Sequence, residues 1–158
     1  MPGKTRNVFI SHVHEDDPGL GSLKNLLAKQ GVEIRDSSIT AENPNDANDP
    51  EYIKREILGP RIRWAGVLLV YITAETRESP WVNWEIEYAE KNGKPIVGIW
   101  AHGAKDEDLP RALDDYADAV VAWNSDSIAS AINGELRGWW TANGAPRGTR
   151  SIPRYHCR

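Results

Sequence analysis

Apolar residues in this chain come in short, nearly continuous runs at residues 7–11, 32–36, 66–72, 95–100 and 119–122. Runs of that length without strict alternation predict strands covered on both faces. Between them, apolar positions recur at helical spacing: Leu23, Leu26 and Leu27 within 20–30, and Tyr52, Ile53, Ile57 and Leu58 within 51–58. Gly31 predicts the C-terminal cap of the first helix, and Gly59-Pro60 the end of the second. Ser79-Pro80 opens a third, because the serine hydroxyl can accept from the first free amides and proline fits the first helical position. That helix is expected to close at Asn92-Gly93. Shorter helical patterns cover 109–116 and 127–136. Strand-helix alternation of this density implies right-handed crossovers and a parallel sheet. The expected architecture is a doubly wound α/β fold with five parallel strands in the order 2-1-3-4-5 and helices on both faces.

Two segments break the pattern. Residues 37–50 form a polar, acidic connection after the second strand, with Asn43, Pro44, Asn45, Asp46, Asn48 and Asp49. A connection of that length in a compact domain reads as a binding or lid loop, with surface slack as the alternative. Residues 141–158 have no periodic pattern and carry Gly144, Pro146, Gly148 and Pro153. The chain therefore divides into one domain at 1–140 and a loosely packed or disordered tail at 141–158.

Composition narrows the function. A total of 158 residues suits one domain with a sizeable core. A net charge of −4, from 19 basic and 23 acidic side chains, argues against a phosphate-backbone binder, so no nucleic-acid partner is expected. The longest apolar run, at 65–72, is too short to span a bilayer, and the first residues do not resemble a signal peptide. The expected location is the cytoplasm, away from membranes. Cys157 is the lone cysteine, so neither an internal disulfide nor a cysteine-based metal site is expected.

In a doubly wound sheet, ligands bind beyond the carboxyl ends of the strands, where neighbouring crossovers leave on opposite faces. The first strand runs directly into Ser11-His12-Val13-His14-Glu15-Asp16-Asp17 at that edge. Ser11 and the loop amides could bind a phosphate or ribose; alternatively, Ser11 and Asp16 merely cap the loop. His12 and His14 lack a clear third ligand, so no metal is expected. Neither Gly-x-Gly-x-x-Gly nor the Walker pattern follows the first strand, which disfavours ordinary dehydrogenases and nucleoside triphosphatases. A Gly-x-Ser-x-Gly nucleophile elbow is also absent.

The segment Ser79-Pro80-Trp81-Val82-Asn83-Trp84-Glu85-Ile86-Glu87-Tyr88-Ala89-Glu90 is the most informative. At about 100° per residue, Trp84, Glu85, Tyr88 and Ala89 share an arc with Trp81, while Glu87, Glu90 and Lys91 fall outside it. A carboxylate among aromatic rings is costly to desolvate, which suggests a task for Glu85. The alternative is that Glu85 lies at the edge of the stripe and reaches water. Trp81, one turn earlier, is placed to wall the same pocket.

These residues resemble a known family. Val8-Phe9-Ile10-Ser11-His12, the Trp81-x-x-x-Glu85 helix start and Gly93-Lys94-Pro95-Ile96-Val97-Gly98-Ile99 are similar, in order and spacing, to Toll/interleukin-receptor (TIR) domains. Within that family the chain is most similar to the bacterial TIR-like sensors of Thoeris antiphage systems. The resemblance covers roughly residues 5–122 and departs from the usual pattern at Val82, where the family commonly has cysteine.

The resemblance implies a flavodoxin-like, TIR-like fold and cleavage of the nicotinamide–ribose bond of NAD. NAD would be a substrate, with no cofactor required, and Glu85 would be the catalytic glutamate. Trp81, Ser11, His12 and Asp36 would line the substrate crevice. The product would be an ADP-ribose-derived signalling nucleotide, a cyclic isomer in Thoeris-like systems, that activates an effector protein. Self-association is expected, through the loop after the second strand. Two rival readings remain: a non-enzymatic, self-associating TIR adaptor, and a nucleoside deoxyribosyltransferase-like enzyme. Glu85 among aromatics favours an enzyme over the adaptor, and the Phe9-Ile10-Ser11-His12 start points away from the transferase.

Overall fold

The apolar runs become strands, and the intervening patterns become the layers that cover them. In chain order the elements are β1 (Asn7–Ser11), α1 (Pro18–Lys29), β2 (Glu33–Asp36) and a π-helical turn (Ile53–Leu58) leading into α2 (Gly59–Trp64). There follow β3 (Val67–Ile72), α3 (Pro80–Lys91), β4 (Ile96–Trp100), a 3-10 turn (Asp106–Asp108) and α4 (Arg111–Tyr116). β5 (Ala119–Val121), α5 (Ser125–Ile132) and β6 (Gly138–Trp139) complete the domain. The structure is a computed structural model that describes residues 7–13, 18–36, 53–135 and 138–142, without the side chains of Asp36, Ile53 and Arg55. His14, Asp16, the expected loop at 37–50 and the tail residues 143–158 lie outside the described residues.

Among the described residues all strands pair in parallel, in the order β2-β1-β3-β4-β5-β6. The first five follow the expected order; the sixth was not expected. β6 is only two residues long, Gly138 opposite Ala119 and Trp139 opposite Val120. Two residues carry no periodicity, so nothing in the sequence announces this strand. Backbone and side-chain bonds around it hold it: Trp140 N–H donates to the Val120 carbonyl at 2.8 Å, and Trp100 Nε1 donates to the Trp140 carbonyl at 2.9 Å.

Alternation along the strands builds two cores. Val8 and Ile10 of β1 point to the face covered by α1 and α5, where Leu20, Leu23, Leu27 and Ile128 are buried. Phe9 points to the opposite face, among Leu58, Ile62, Val82, Ile86 and Leu113 from the turn before α2 and from α2, α3 and α4. The chain thus changes face between α1 and α2, and β1 and β3 lie side by side at the switch point. At the end of this pair, Ser11 lies opposite Val70. Ser11 follows the register of Phe9, which aims it at the α3 face.

Three boundaries differ from the sequence reading. The second helix does not stop at Gly59-Pro60. It passes through as a π-turn, Ile53–Leu58, and continues as α2. Pro60 has no amide hydrogen for a regular turn, and the wider π geometry absorbs that loss. Gly59 permits the close backbone approach: a Cβ there would lie 2.7 Å from the Lys54 carbonyl oxygen. The fourth helix begins at Arg111 rather than at residue 109, because Pro110 is extended (φ −60°, ψ 143°) and precedes it. The fifth spans Ser125–Ile132 rather than 127–136, capped by Asn124, whose Oδ1 accepts from Ser127 N–H at 3.0 Å. Gly134 follows it at φ 78°.

Candidate functional site

α3 begins as its sequence requires. The Ser79 hydroxyl accepts from Val82 N–H at 3.2 Å, and Pro80 takes the first helical position. At its other end Gly93 adopts φ 69°, and Lys94 N–H bonds back to the Ala89 carbonyl at 2.9 Å. This fixes both ends of the helix that carries Trp81 and Glu85 over the sheet.

The face α3 turns to the sheet is rotated from the one its aromatics predict. The buried side chains are Val82, Glu85, Ile86 and Ala89, while Trp81, Trp84 and Tyr88 are half-buried along the flank. Small and branched residues meet the strands because a helix must approach a sheet closely, and indole rings would hold it off. On a helical wheel Glu85 falls between the two sets, about 40° from Trp81 and about 60° from Val82. It sits in the middle of a broad apolar arc, and its exposure is 0%. The reading in which Glu85 reaches water at the edge of the stripe is therefore excluded.

Ser11 meets Glu85 there. Its hydroxyl donates to Glu85 Oε1 at 2.6 Å, and Ser11 is also 0% exposed. At 2.6 Å the bond lies at the short side of the ordinary range for a hydroxyl donor and an oxygen acceptor. The bond joins the carboxyl end of β1 to the second turn of α3, at the switch point where a doubly wound sheet binds ligands. His12, the next residue, is 5% exposed. Asp36 closes β2 beside Ile10 of β1, at the same edge; its side chain lies outside the described part of the structure. Of the five residues singled out in the sequence, Ser11, His12 and Glu85 are thus buried at one edge, with Trp81 one turn before Glu85 on α3.

The aromatic flank of α3 holds a cation that sequence reading missed. Lys54, in the π-turn, places Nζ 5.7 Å from the Trp81 ring centroid and 5.5 Å from that of Trp84. Trp84 in turn stacks on Tyr88, with centroids 5.0 Å apart and planes 20° from parallel. Arg63 Nη1 donates to the Tyr88 hydroxyl in a short hydrogen bond. The signal for Lys54 is indirect, since only the irregular turn brings residue 54 over α3. Among the described residues, no group of three or more His, Cys, Asp or Glu side chains could hold a metal ion.

A cavity of about 300 Å³ lies elsewhere, lined by Trp100, Asp106, Leu109, Trp140 and Thr141. It joins the end of β4 to the segment after β6, and it escapes sequence reading because β6 is too short to show a pattern. No described helix is long and apolar enough to cross a membrane.

Among solved structures, the chain is similar to a conserved protein from Enterococcus faecalis V583, at 10% identity and a TM-score of 0.57 over 84% of this chain and all of that one. It is also similar to the CMP N-glycosidase BcmB of Clostridium botulinum, at 16% identity and a TM-score of 0.52 over 81% of this chain and 98% of that one. At these identities the likeness is one of fold. No curated protein matches the sequence. The model of the family described as "Thoeris protein ThsB, TIR-like domain" matches residues 9–106, a stretch that holds Ser11, Lys54, Trp81 and Glu85. With more than half of its length matched, the chain belongs to the Thoeris ThsB TIR-like family.

Proposed function

We propose that this protein cleaves NAD between nicotinamide and ribose, with Glu85 as the catalytic carboxylate. The observation that carries the reading is the fully buried Ser11–Glu85 pair, 2.6 Å apart, at the switch point of a parallel sheet. A carboxylate taken wholly out of water costs several kcal/mol, on the order of the penalty for a buried ion, and a self-associating adaptor has no use for that expense. Family membership supports the reading. So does the fold, since one structural neighbour is a CMP N-glycosidase.

The chemistry needs little from the protein beyond charge. As the bond between C1′ and the pyridinium nitrogen breaks, its electron pair goes to nitrogen, and nicotinamide leaves neutral without a proton. Positive charge develops on the ribose. A carboxylate fixed in a site with little water stabilises that charge more strongly than one in bulk solvent. The Ser11 hydroxyl acts as a positioning group that holds one carboxylate oxygen. Trp81 supplies an apolar wall, with His12 and Asp36 at the same strand edge.

The acceptor determines the product. Capture by water gives ADP-ribose, and capture by an atom of the same dinucleotide gives a cyclic isomer. We favour a cyclic ADP-ribose isomer that acts as a messenger to an effector protein in antiphage defence, made in the cytoplasm by self-associated chains. Incubation of the purified protein with NAD, followed by chromatography for nicotinamide and mass measurement of the second product, tests the reading. Nicotinamide release abolished by Glu85→Gln supports it; undiminished release by a folded Glu85→Gln variant overturns it.

A further inference from the structure

The Lys54 ammonium lies at nearly the same distance from two indole rings, 5.7 Å from Trp81 and 5.5 Å from Trp84. Both rings are half-buried and flank the turn of α3 that carries Glu85. Paired indole faces with a cation at such distances form a cation-binding arrangement, because the negative face of each ring attracts positive charge. Lys54 is itself half-buried and belongs to the π-turn before α2. Lysine's four-carbon stem is flexible, so the ammonium can shift by rotation about its own side-chain bonds.

We propose that Trp81 and Trp84 form a cation seat that the chain's own Lys54 occupies when no substrate is bound, and that a ligand pyridinium displaces it. This deepens the reading above, on which it rests for the nature of the ligand. The oxidised dinucleotide carries a positive charge on its nicotinamide ring, whereas the reduced form has a neutral dihydropyridine of nearly the same shape. A seat built for charge therefore selects the oxidised form. It also holds the scissile nitrogen beside the arc of α3 that carries Glu85. Once the bond breaks, the nicotinamide is neutral and loses its claim on the seat, so the returning ammonium helps to expel it.

Binding, rather than turnover, tests the proposal. The probes are 1-methylnicotinamide, a permanent pyridinium, and nicotinamide, its neutral counterpart, titrated by calorimetry against wild type, Lys54→Met, Lys54→Gln and Lys54→Arg. Removing the tethered ammonium is expected to tighten pyridinium binding by about five- to tenfold in the Met and Gln variants. Neutral nicotinamide should bind all four proteins alike, and Lys54→Arg should behave as wild type. Adding Trp84→Leu to Lys54→Met should cancel the gain. Unchanged or weaker pyridinium binding in both neutral variants overturns the seat, as does absence of pyridinium binding in every protein. If those variants instead lose affinity for inorganic pyrophosphate, Lys54 is a phosphate anchor and the seat is overturned. None of these outcomes depends on whether Glu85 supports nicotinamide release, so the two readings fail separately.

Discussion

Ser11 and Glu85, 74 residues apart in sequence, share a 2.6 Å hydrogen bond in which neither residue has any exposed surface. Ser11 stands where the α3-facing register of β1 would otherwise hold an apolar side chain, as Phe9 does two residues earlier. An apolar residue at position 11 would leave the carboxylate without this donor, so the two polar choices are mutually dependent. A double-mutant cycle on the pair is expected to show strong coupling in both stability and rate.

Glu85→Gln keeps volume and an acceptor for Ser11 but removes the charge. Nicotinamide release is expected to fall by about a thousandfold or more, with NAD affinity nearly unchanged. Glu87 is exposed on the far side of α3, and Glu87→Gln should leave the rate close to wild type. Trp81→Ala should fall between them, mainly through weaker binding. Single-turnover kinetics with NAD separates the three.

Ser11→Ala removes the donor and leaves a buried acceptor less satisfied. A loss of about 1–3 kcal/mol in urea unfolding is expected. The carboxylate is also less well aimed, so kcat should drop by about ten- to a hundredfold with KM little changed. Equal effects on kcat and KM would point instead to a general loosening of the pocket.

Asn83 ties the helix that carries Glu85 to its neighbours. Its Oδ1 accepts from Ala112 N–H at 3.1 Å, at the start of α4, and its Nδ2 donates to the Ser79 carbonyl at 3.0 Å and the Arg77 carbonyl at 3.2 Å. Asn83→Ala is expected to cost about 1 kcal/mol through the lost cap of α4. Asn83→Asp keeps the acceptor and should recover most of that loss, measured by thermal unfolding.

Gly98, in the middle of β4, is required by packing. A Cβ there would lie 2.7 Å from Leu113 Cδ2 and 3.2 Å from Ile72 Cδ1, both in the buried core. Gly98→Ala should destabilise by about 1–3 kcal/mol. Combining it with Leu113→Val should cost less than the two single changes together, because the smaller side chain vacates the contested space.

Specific activity is expected to rise with protein concentration, because self-association is proposed to favour the active arrangement. Rates measured per mole of chain across a dilution series check this. A strictly constant value would count against coupling between assembly and turnover.

Much of the fold was legible in one dimension. Continuous apolar runs marked β1 to β5, since strands covered on both faces have no polar side to interrupt them. Ser79-Pro80 and Asn92-Gly93 marked α3 because capping depends on local backbone geometry that a few residues satisfy alone. β6 escaped because a two-residue strand is held by its neighbour rather than by its own pattern. The π-turn escaped for a related reason: Gly59-Pro60 reads locally as a stop, and only packing of Leu58 and Ile62 on the sheet carries the helix through.

The site divides along the same line. Composition and motif order were enough to single out Glu85, Trp81, Ser11 and His12, and with them the family, because a carboxylate inside an apolar stripe is conspicuous wherever it is written. Tertiary structure alone decided that Glu85 is wholly buried, that Ser11 is its donor, and that Lys54 rests over Trp81 and Trp84. Those relations join positions 11, 54 and 85, which are brought together by a parallel sheet whose neighbouring strands are distant in sequence. Helical periodicity reports which residues share a face, but which face meets the sheet depends on how closely side chains of different bulk allow two layers to approach.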